Sequence, residues 1–506
     1  MKSPIIRRLE ERSTPPLAAW RLAPGVRSAL PGDLSSAQAI KAGPHRSVFA
    51  SGDRIIKISP SARALRQEWQ RLESAARCGL PVPKALGIAT HQGIAWLVLE
   101  REPGTTLDAL GEDPARRRAL APVLGESLRT MHAAGWIHRD LHPGNVLVRP
   151  GGELMWLDGG ALRRRRLPRS HLPRLAAALP PSWSRTDLLR AAKAYFGSSS
   201  RSEVRRLGDK VQRERIRIWR KRTRRCLRIN RTFEQIAAGE LRGFARRERP
   251  FEIAGWIQEL ESHGPSPTLR VLKDGRTTSV FAAQAPPVVL KRYHRDGGPL
   301  RRSVLSRAPT RGRLAWQRLE ALAVRHLSVP TGWAFLEQPR GRRRSWLALK
   351  RLDGVGLDRA WSSADRDGRQ MLIEVTARFI ATLHERGASC RDLKAANLLV
   401  RDDRGHPHVS LIDMDGVREL RRPPGPRRRW KDLVRLNASF DPGIASLADR
   451  LRFWKAYHRI TQRPPRRRDL RRILSATERK RATWASTHRS GSPAPAPPFR
   501  PEERTV

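Results

Sequence analysis

One motif occurs twice in this chain, and its repetition constrains the fold more than any other feature. His138-Arg139-Asp140-Leu141-His142-Pro143-Gly144-Asn145-Val146-Leu147-Val148 is followed by Trp156-Leu157-Asp158-Gly159. Cys390-Arg391-Asp392-Leu393-Lys394-Ala395-Ala396-Asn397-Leu398-Leu399-Val400 is followed by Leu411-Ile412-Asp413-Met414-Asp415-Gly416, with the same Asp-to-Asn spacing. In the first copy Val146 to Val148 reads as a strand leaving the loop, Pro150-Gly151-Gly152 as a turn, and Leu154 to Leu157 as a returning strand. Such a hairpin predicts that Asp140, Asn145 and Asp158 converge, and by repetition Asp392, Asn397 and Asp413.

These stretches resemble the catalytic and metal-binding loops of the protein-kinase-like superfamily. The resemblance implies an α+β chain of two tandem bilobal domains, each with a β-rich N-lobe and an α-rich C-lobe, using ATP and Mg²⁺. Phosphoryl transfer needs a carboxylate facing the attacking hydroxyl, while an amide and a second carboxylate hold the metal against the nucleotide phosphates. The resemblance therefore assigns Asp140 and Asp392 to the hydroxyl, and Asn145, Asp158, Asn397 and Asp413 to the metal.

In the first half, Ala42 to Ala50 stands where a nucleotide-covering hairpin belongs, although only Gly43 supplies backbone freedom. Arg54-Ile55-Ile56-Lys57-Ile58 reads as a strand, with Lys57 either a ligand for the α- and β-phosphates or an ordinary solvent-facing lysine. Ser61 to Cys78 carries Leu65, Trp69, Leu72 and Ala76 at helical spacing. Glu68 on that helix is the expected partner of Lys57, with Glu73 as the rival. Ile94 to Arg101 reads as a buried strand ending near Glu100 at a lobe-connecting hinge, a place that offers backbone groups to adenine. Arg116 to Ala133 reads as a helix delivering the chain to the loop, where His138 braces the core and His142 is an accessory to phosphate or metal.

The second half restates the first. Ser279-Val280-Phe281-Ala282 matches Ser47-Val48-Phe49-Ala50, Lys291 matches Lys57, and Trp316-Gln317-Arg318-Leu319-Glu320 matches Trp69-Gln70-Arg71-Leu72-Glu73. This alignment sets Ala315 opposite Glu68, so Lys291 lacks the expected carboxylate unless Glu320 or another acid substitutes. Lys394 stands where the first copy has His142, in a form that lets a lysine reach the γ-phosphate in active kinases. The Leu290 to Tyr293 strand, the Leu411 to Gly416 loop and the Arg435 to Ser439 and Phe453 to Tyr457 segments look like the bacterial lipopolysaccharide core kinases, which act on heptose or Kdo sugars. The acceptor implied is such a sugar; a Ser/Thr protein kinase and a scaffold with a degenerate unit remain the alternatives.

A chain of 506 residues fits two kinase-sized units. The expected order is a loosely ordered leader over 1–34, a first domain over 35–197, a basic helical linker over 198–228, a second domain over 229–475 and a disordered tail over 476–506. With 101 Lys+Arg against 48 Asp+Glu the formal charge is +53, which predicts attraction to a polyanion such as lipopolysaccharide or another anionic glycolipid, or else a mere arginine bias. Peripheral contact with an anionic membrane surface is a further expectation, centred on Arg213 to Arg225. The arginines lack interleaved aromatic stacking positions, which argues against a nucleic-acid binder. Three cysteines without metal spacing, and no signal-type or membrane-spanning run, predict a cytoplasmic protein.

Overall fold

Three β-branched residues around one lysine set the centre of the first unit. Arg54–Ser59 is an inner strand, paired antiparallel with Ser47–Ser51 on one side and Ile94–Glu100 on the other. Alternation sends Ile56 and Ile58 to one face, where they pack with Trp20, Phe49, Trp96 and Val98. It sends Lys57 to the opposite face, the one covered by Leu65, Trp69 and Leu72 of the helix Ala62–Arg77. Ser61 caps that helix by accepting from the Ala64 amide. The computed structural model describes residues 15–26, 37–41, 43, 46–111, 113–165, 171–180, 182–197, 201–264, 268–294, 309–338, 344–403, 406–440, 443–461 and 466–489. Ala42, Pro44 and His45 of the expected nucleotide-covering hairpin lie outside them.

The full sheet has six strands in the order Trp20–Leu22, Ala85–His91, Ile94–Glu100, Arg54–Ser59, Ser47–Ser51, Gln38–Lys41. The leader expected to be loose thus contributes an edge strand. Trp20 is buried and its indole donates to the Pro15 carbonyl, so one aromatic side chain anchors a segment with no periodicity of its own. In the helical lobe Pro114–Ala133 packs against Arg185–Phe196. The approach depends on Gly125, where a Cβ would stand 2.1 Å from the Ala191 carbonyl oxygen.

The second unit builds a seven-stranded sheet, because the hairpin Phe233–Ala238 and Leu241–Arg246 adds to the edge strand Gly332–Glu337. Helix Ile253–Ser262 covers one face of it through Ile253, Ile257 and Leu260, packed with Phe281, Leu336 and Trp346. Its helical lobe comprises Arg366–Glu385, Pro426–Ala438, Leu447–Thr461 and Arg467–Arg489.

Two expected boundaries move. The compact units divide between Arg215 and Ile216, inside the helix Arg201–Thr223, and not at the ends of a separate linker. Ile216, Trp219 and Cys226 are buried, which gives the C-terminal part of that stretch a place in the second unit. The tail expected from 476 is helical to Arg489. Ile473 and Thr477 are buried, the Asn437 amide donates to the Thr477 hydroxyl at 3.0 Å, and Arg481 donates to the Phe440 carbonyl at 2.7 Å. Contacts one turn apart hold a sequence whose composition is that of a solvated tail.

Candidate functional site

In the first unit the strand lysine and the helix acid meet. Lys57 Nζ lies 2.5 Å from Glu68 Oε1, with Glu68 fully buried. The other Glu68 oxygen accepts from Arg46, whose guanidinium also reaches Asp158 Oδ1 at 3.4 Å. Lys57 itself stands 4.0 Å from that Asp158 oxygen. Burial pushes the Lys57 ammonium down to about 8; the Arg46 charge adds to this and Asp158 opposes it. Burial alone would raise the Asp158 carboxyl, but Lys57 and Arg46 outweigh it and hold the group below the usual carboxylate range.

The loop that carries Asp140 is fixed from below. His142 accepts from the Gly144 amide at 3.1 Å and so caps the turn Pro143–Asn145. Asn145 donates its side-chain amide to the Asp140 main-chain carbonyl at 2.9 Å, which leaves its oxygen as the atom able to meet a cation. The Asp140 side chain is 68% exposed, 3.7 Å from His142. The hairpin Val146–Val148 and Leu154–Trp156 returns the chain to Asp158, which holds a left-handed backbone (φ 56°). Such a conformation is uncommon outside glycine and clusters where a side chain must be aimed.

The second unit repeats the loop with different supports. Asn397 donates to the Asp392 carbonyl at 3.0 Å, and Lys394 lies 3.0 Å from Asp392 Oδ1. Lys291 Nζ meets Asp413 Oδ1 at 2.9 Å and Asp415 Oδ2 at 3.5 Å. Glu320 is not its partner, because that carboxylate takes both its bonds from Arg246, at 2.7 and 2.8 Å. Ala315 faces the core, fully buried. Glu100 ends its strand with an exposed side chain and its amide bonded to the Lys84 carbonyl; the position marks the hinge, and the carboxylate has no part in the Lys57 cluster.

Behind each loop runs a polar chain that no sequence pattern singles out. In the first unit Tyr195 donates to His132 (2.8 Å), His132 to His171 (2.7 Å), and His171 to the His138 carbonyl (2.8 Å). Burial, and then the neighbouring His171, hold His132 down at about 4, as neutral rings in a donor-acceptor chain require. In the second unit Tyr457 bonds His384 at 2.8 Å, and His384 meets Asp432 at 3.3 Å. Asp432 accepts from the Cys390 amide at 3.1 Å. The polarity is reversed: a histidine donates to a carbonyl in one half, and an aspartate accepts from the amide of the matching residue in the other. His138 donates to the Leu157 carbonyl at 2.8 Å and is fully buried, the bracing position expected of it.

Asn145 with Asp158, and Asn397 with Asp413, offer only oxygen donors, the hard set that Mg²⁺ selects when phosphate oxygens complete its shell. Among the described residues no three His, Cys, Asp or Glu side chains form a metal cluster, so the protein alone would supply part of the shell. A test of the lysine uses a chain silenced in the second unit by Lys291→Ala. ADP affinity there is expected to hold up to neutral pH and to fall as pH rises through about 8, since the free ammonium loses its proton there and phosphate binding needs the charge. Calorimetry should show proton uptake on binding above that point, and a flat profile removes Lys57 from the phosphates.

Comparisons with known proteins divide along the same halves. Residues 268–457 match the lipopolysaccharide kinase (Kdo/WaaP) family, and residues 37–135 the phosphotransferase enzyme family. Serine/threonine-protein kinase 10 of Homo sapiens is 32% identical over 96 residues, 18% of this chain and 10% of that protein. Serine/threonine-protein kinase PknA of Mycobacterium tuberculosis is 38% identical over 71 residues, 13% of this chain and 16% of that protein. The chain thus spans a small fraction of the length of these curated relatives. Among solved structures, aminoglycoside phosphotransferase APH(3'')-Id from Streptomyces rimosus is 17% identical, with 35% of this chain and 91% of that chain covered and a TM-score of 0.30. The bifunctional kinase-methyltransferase WbdD is 19% identical, with 39% and 51% covered and a TM-score of 0.25. Each of the two compact units thus contains one family match: residues 268–457 are similar to the Kdo/WaaP lipopolysaccharide kinase family, and residues 37–135 to the phosphotransferase enzyme family.

Proposed function

We propose that this chain is an ATP-dependent phosphotransferase that moves the γ-phosphoryl group to a hydroxyl of an anionic lipopolysaccharide core sugar. Asp140 and Asp392 take the proton of the attacking hydroxyl as the new O–P bond forms and the bond to ADP breaks. Lys57, held by Glu68, and Lys291 grip the nucleotide phosphates, and Lys394 beside Asp392 reaches toward the γ-phosphate. Asn145 with Asp158, and Asn397 with Asp413, would hold Mg²⁺, which would supply neutralisation of charge on the phosphate oxygens. The transition state is loose, so the chain contributes alignment and charge above all.

The anionic acceptor rests on one feature. A cleft of about 870 Å³ opens beside the second catalytic loop, lined by Arg391, Arg418, Arg427, Arg428, Lys431 and Arg472 together with Trp430 and Arg435. Asp432, the acid in its wall, is buried and committed to Cys390, His384 and Arg435. Arg391 directly precedes Asp392, so phosphate groups bound in the cleft would hold a neighbouring hydroxyl near the carboxylate. No helix of the described residues is long and apolar enough to cross a membrane. A glycolipid acceptor would then be met at a surface, and the helix Arg201–Thr223 exposes Arg205, Arg206, Arg213, Arg217, Lys221 and Arg222 for such contact.

The experiment supplies ATP labelled in the γ-position, Mg²⁺, and either phosphorylated lipopolysaccharide core or a protein mixture. Label is expected in the glycolipid. Arg428→Glu with Lys431→Glu should raise the acceptor KM about tenfold or more, the scale of two charge-assisted hydrogen bonds removed, with the ATP KM unchanged. Label entering protein instead, or an acceptor KM indifferent to both charges, overturns the reading.

A further inference from the structure

The two halves disagree at two aligned positions, and the disagreements cancel. Where the first unit has Glu68 on its helix, the second has Ala315; where the first has Gly160 two residues past Asp158, the second has Asp415 two residues past Asp413. The two loops run alike at this point. Arg71 donates to the Gly160 carbonyl at 2.9 Å, and its counterpart Arg318 donates to the Asp415 carbonyl at 2.9 Å. A Cβ added at Gly160 would stand 3.1 Å from Glu68 Oε2. A side chain at that loop position is therefore directed at the space the helix carboxylate fills. In the second unit Ala315 vacates that space and Asp415 is directed there.

The partners of the two carboxylates correspond. Glu68 takes Lys57 on one oxygen and Arg46 on the other. Asp415 takes Lys291 at 3.5 Å and Arg311 at 2.9 Å on Oδ2, with the Tyr293 hydroxyl donating to Oδ1 at 3.1 Å. The arginine has changed its origin as well. Arg46 lies just before the strand Ser47–Ser51, whereas Arg311 opens the helix Arg311–Ala323. Each unit thus contains a lysine, a carboxylate and an arginine in one ion cluster, assembled from different elements.

We propose that Asp415 is the positioning residue for the phosphate-binding lysine of the second unit, having taken over from the loop the task that Glu68 performs from the helix. The second unit is then a complete nucleotide-phosphate site, and Ala315 is a compensated change rather than a mark of degeneration. This rests on the phosphotransferase reading and names a further residue for it.

The test uses the full chain with the first unit silenced by Lys57→Ala, and reads ADP binding by calorimetry with and without Mg²⁺, alongside the KM for ATP. Asp415→Ala is expected to weaken ADP about tenfold in both conditions, the scale of one charge-assisted hydrogen bond taken from the lysine. Ala315→Glu combined with Asp415→Gly, which transplants the first unit's arrangement, is expected to restore affinity to within about threefold of the parent, on the same scale. Unchanged binding in Asp415→Ala overturns the proposal. So does a weakening seen only with Mg²⁺, which makes Asp415 a metal ligand, or a transplanted variant that melts like the parent yet binds no better than Asp415→Ala. A parent that binds no nucleotide overturns the phosphotransferase reading itself, and with it this one.

Discussion

With Asp140→Asn and Asp392→Asn together, transfer of phosphate is expected to fall by about a thousandfold while ATP still binds, the middle of the range for removal of a general base. The selectivity follows from how little these carboxylates do for the fold. Asp140 is 68% exposed, and its nearest ionic neighbour, His142, is 3.7 Å away. The loop is held by main-chain atoms, since Asn145 and Asn397 bond the carbonyls of Asp140 and Asp392 and not their side chains. An amide of the same shape therefore leaves the loop in place and removes only the proton acceptor. Asp392→Asn also deprives Lys394 of its 3.0 Å ionic partner, so this single variant should shift the KM for ATP slightly where Asp140→Asn does not. Each single variant reports the share of turnover carried by the other unit. The measurement is release of labelled phosphate to acceptor under saturating ATP, and a double variant that works at the parental rate sinks the assignment of both aspartates.

The second large effect is on stability. Glu68→Ala is expected to cost the first unit about 3 kcal/mol, as removal of one partner from a buried ion cluster does. Glu68 is shut off from water: its side chain is 0% exposed, while that of Lys57 retains 10% and that of Arg46 29%. Without the acid, Arg46 and Lys57 keep only the Asp158 carboxylate, at 3.4 and 4.0 Å, and Lys57, already lowered to about 8, gives up its proton more readily. Hydrogen exchange over Ser47–Ser51 and Ala62–Arg77 should accelerate by about a hundredfold, the equivalent of that free energy. Adding Gly160→Asp should recover part of the protection, because that position points its Cβ at the vacated carboxylate. Unaltered exchange in Glu68→Ala means that the cluster carries no net stability.

What a single sequence discloses of this molecule divides by range. Lys57 and Glu68 are legible because each lies in a strongly patterned element, an Ile-rich strand and a helix with Leu65, Trp69 and Leu72 on one side. The return of the chain from Asn145 to the segment before Asp158 is legible because a short hairpin is a local structure with its own turn; Trp156 stands opposite Val146 and the Leu157 amide bonds the Asn145 carbonyl. The partners of Lys291, Asp413 at 2.9 Å and Asp415 at 3.5 Å, are not legible, since whether Glu320 reaches the lysine depends on which surface of a distant helix faces the strand. Glu320 lies beyond Ala315 on that helix, and it turns toward Arg246, on a hairpin that no pattern places beside it. The strand Trp20–Leu22 is too short to show alternation, and the helix Arg467–Arg489 hides its Leu470, Ile473 and Thr477 among arginines. Both are held by tertiary packing rather than by propensity, and one sequence records such packing only after it is known.

The paired replacements at 68 and 160, and at 315 and 415, have a consequence for the gene that encodes them. Two tandem segments of like sequence invite unequal crossing-over and gene conversion, which tend to homogenise repeats. A conversion tract that carried the helix codons of one copy without the loop codons would leave either both acids beside one lysine or neither. On the proposed role of Asp415, such a recombinant would lose the charge balance around its lysine, so the two positions of each half are expected to change together.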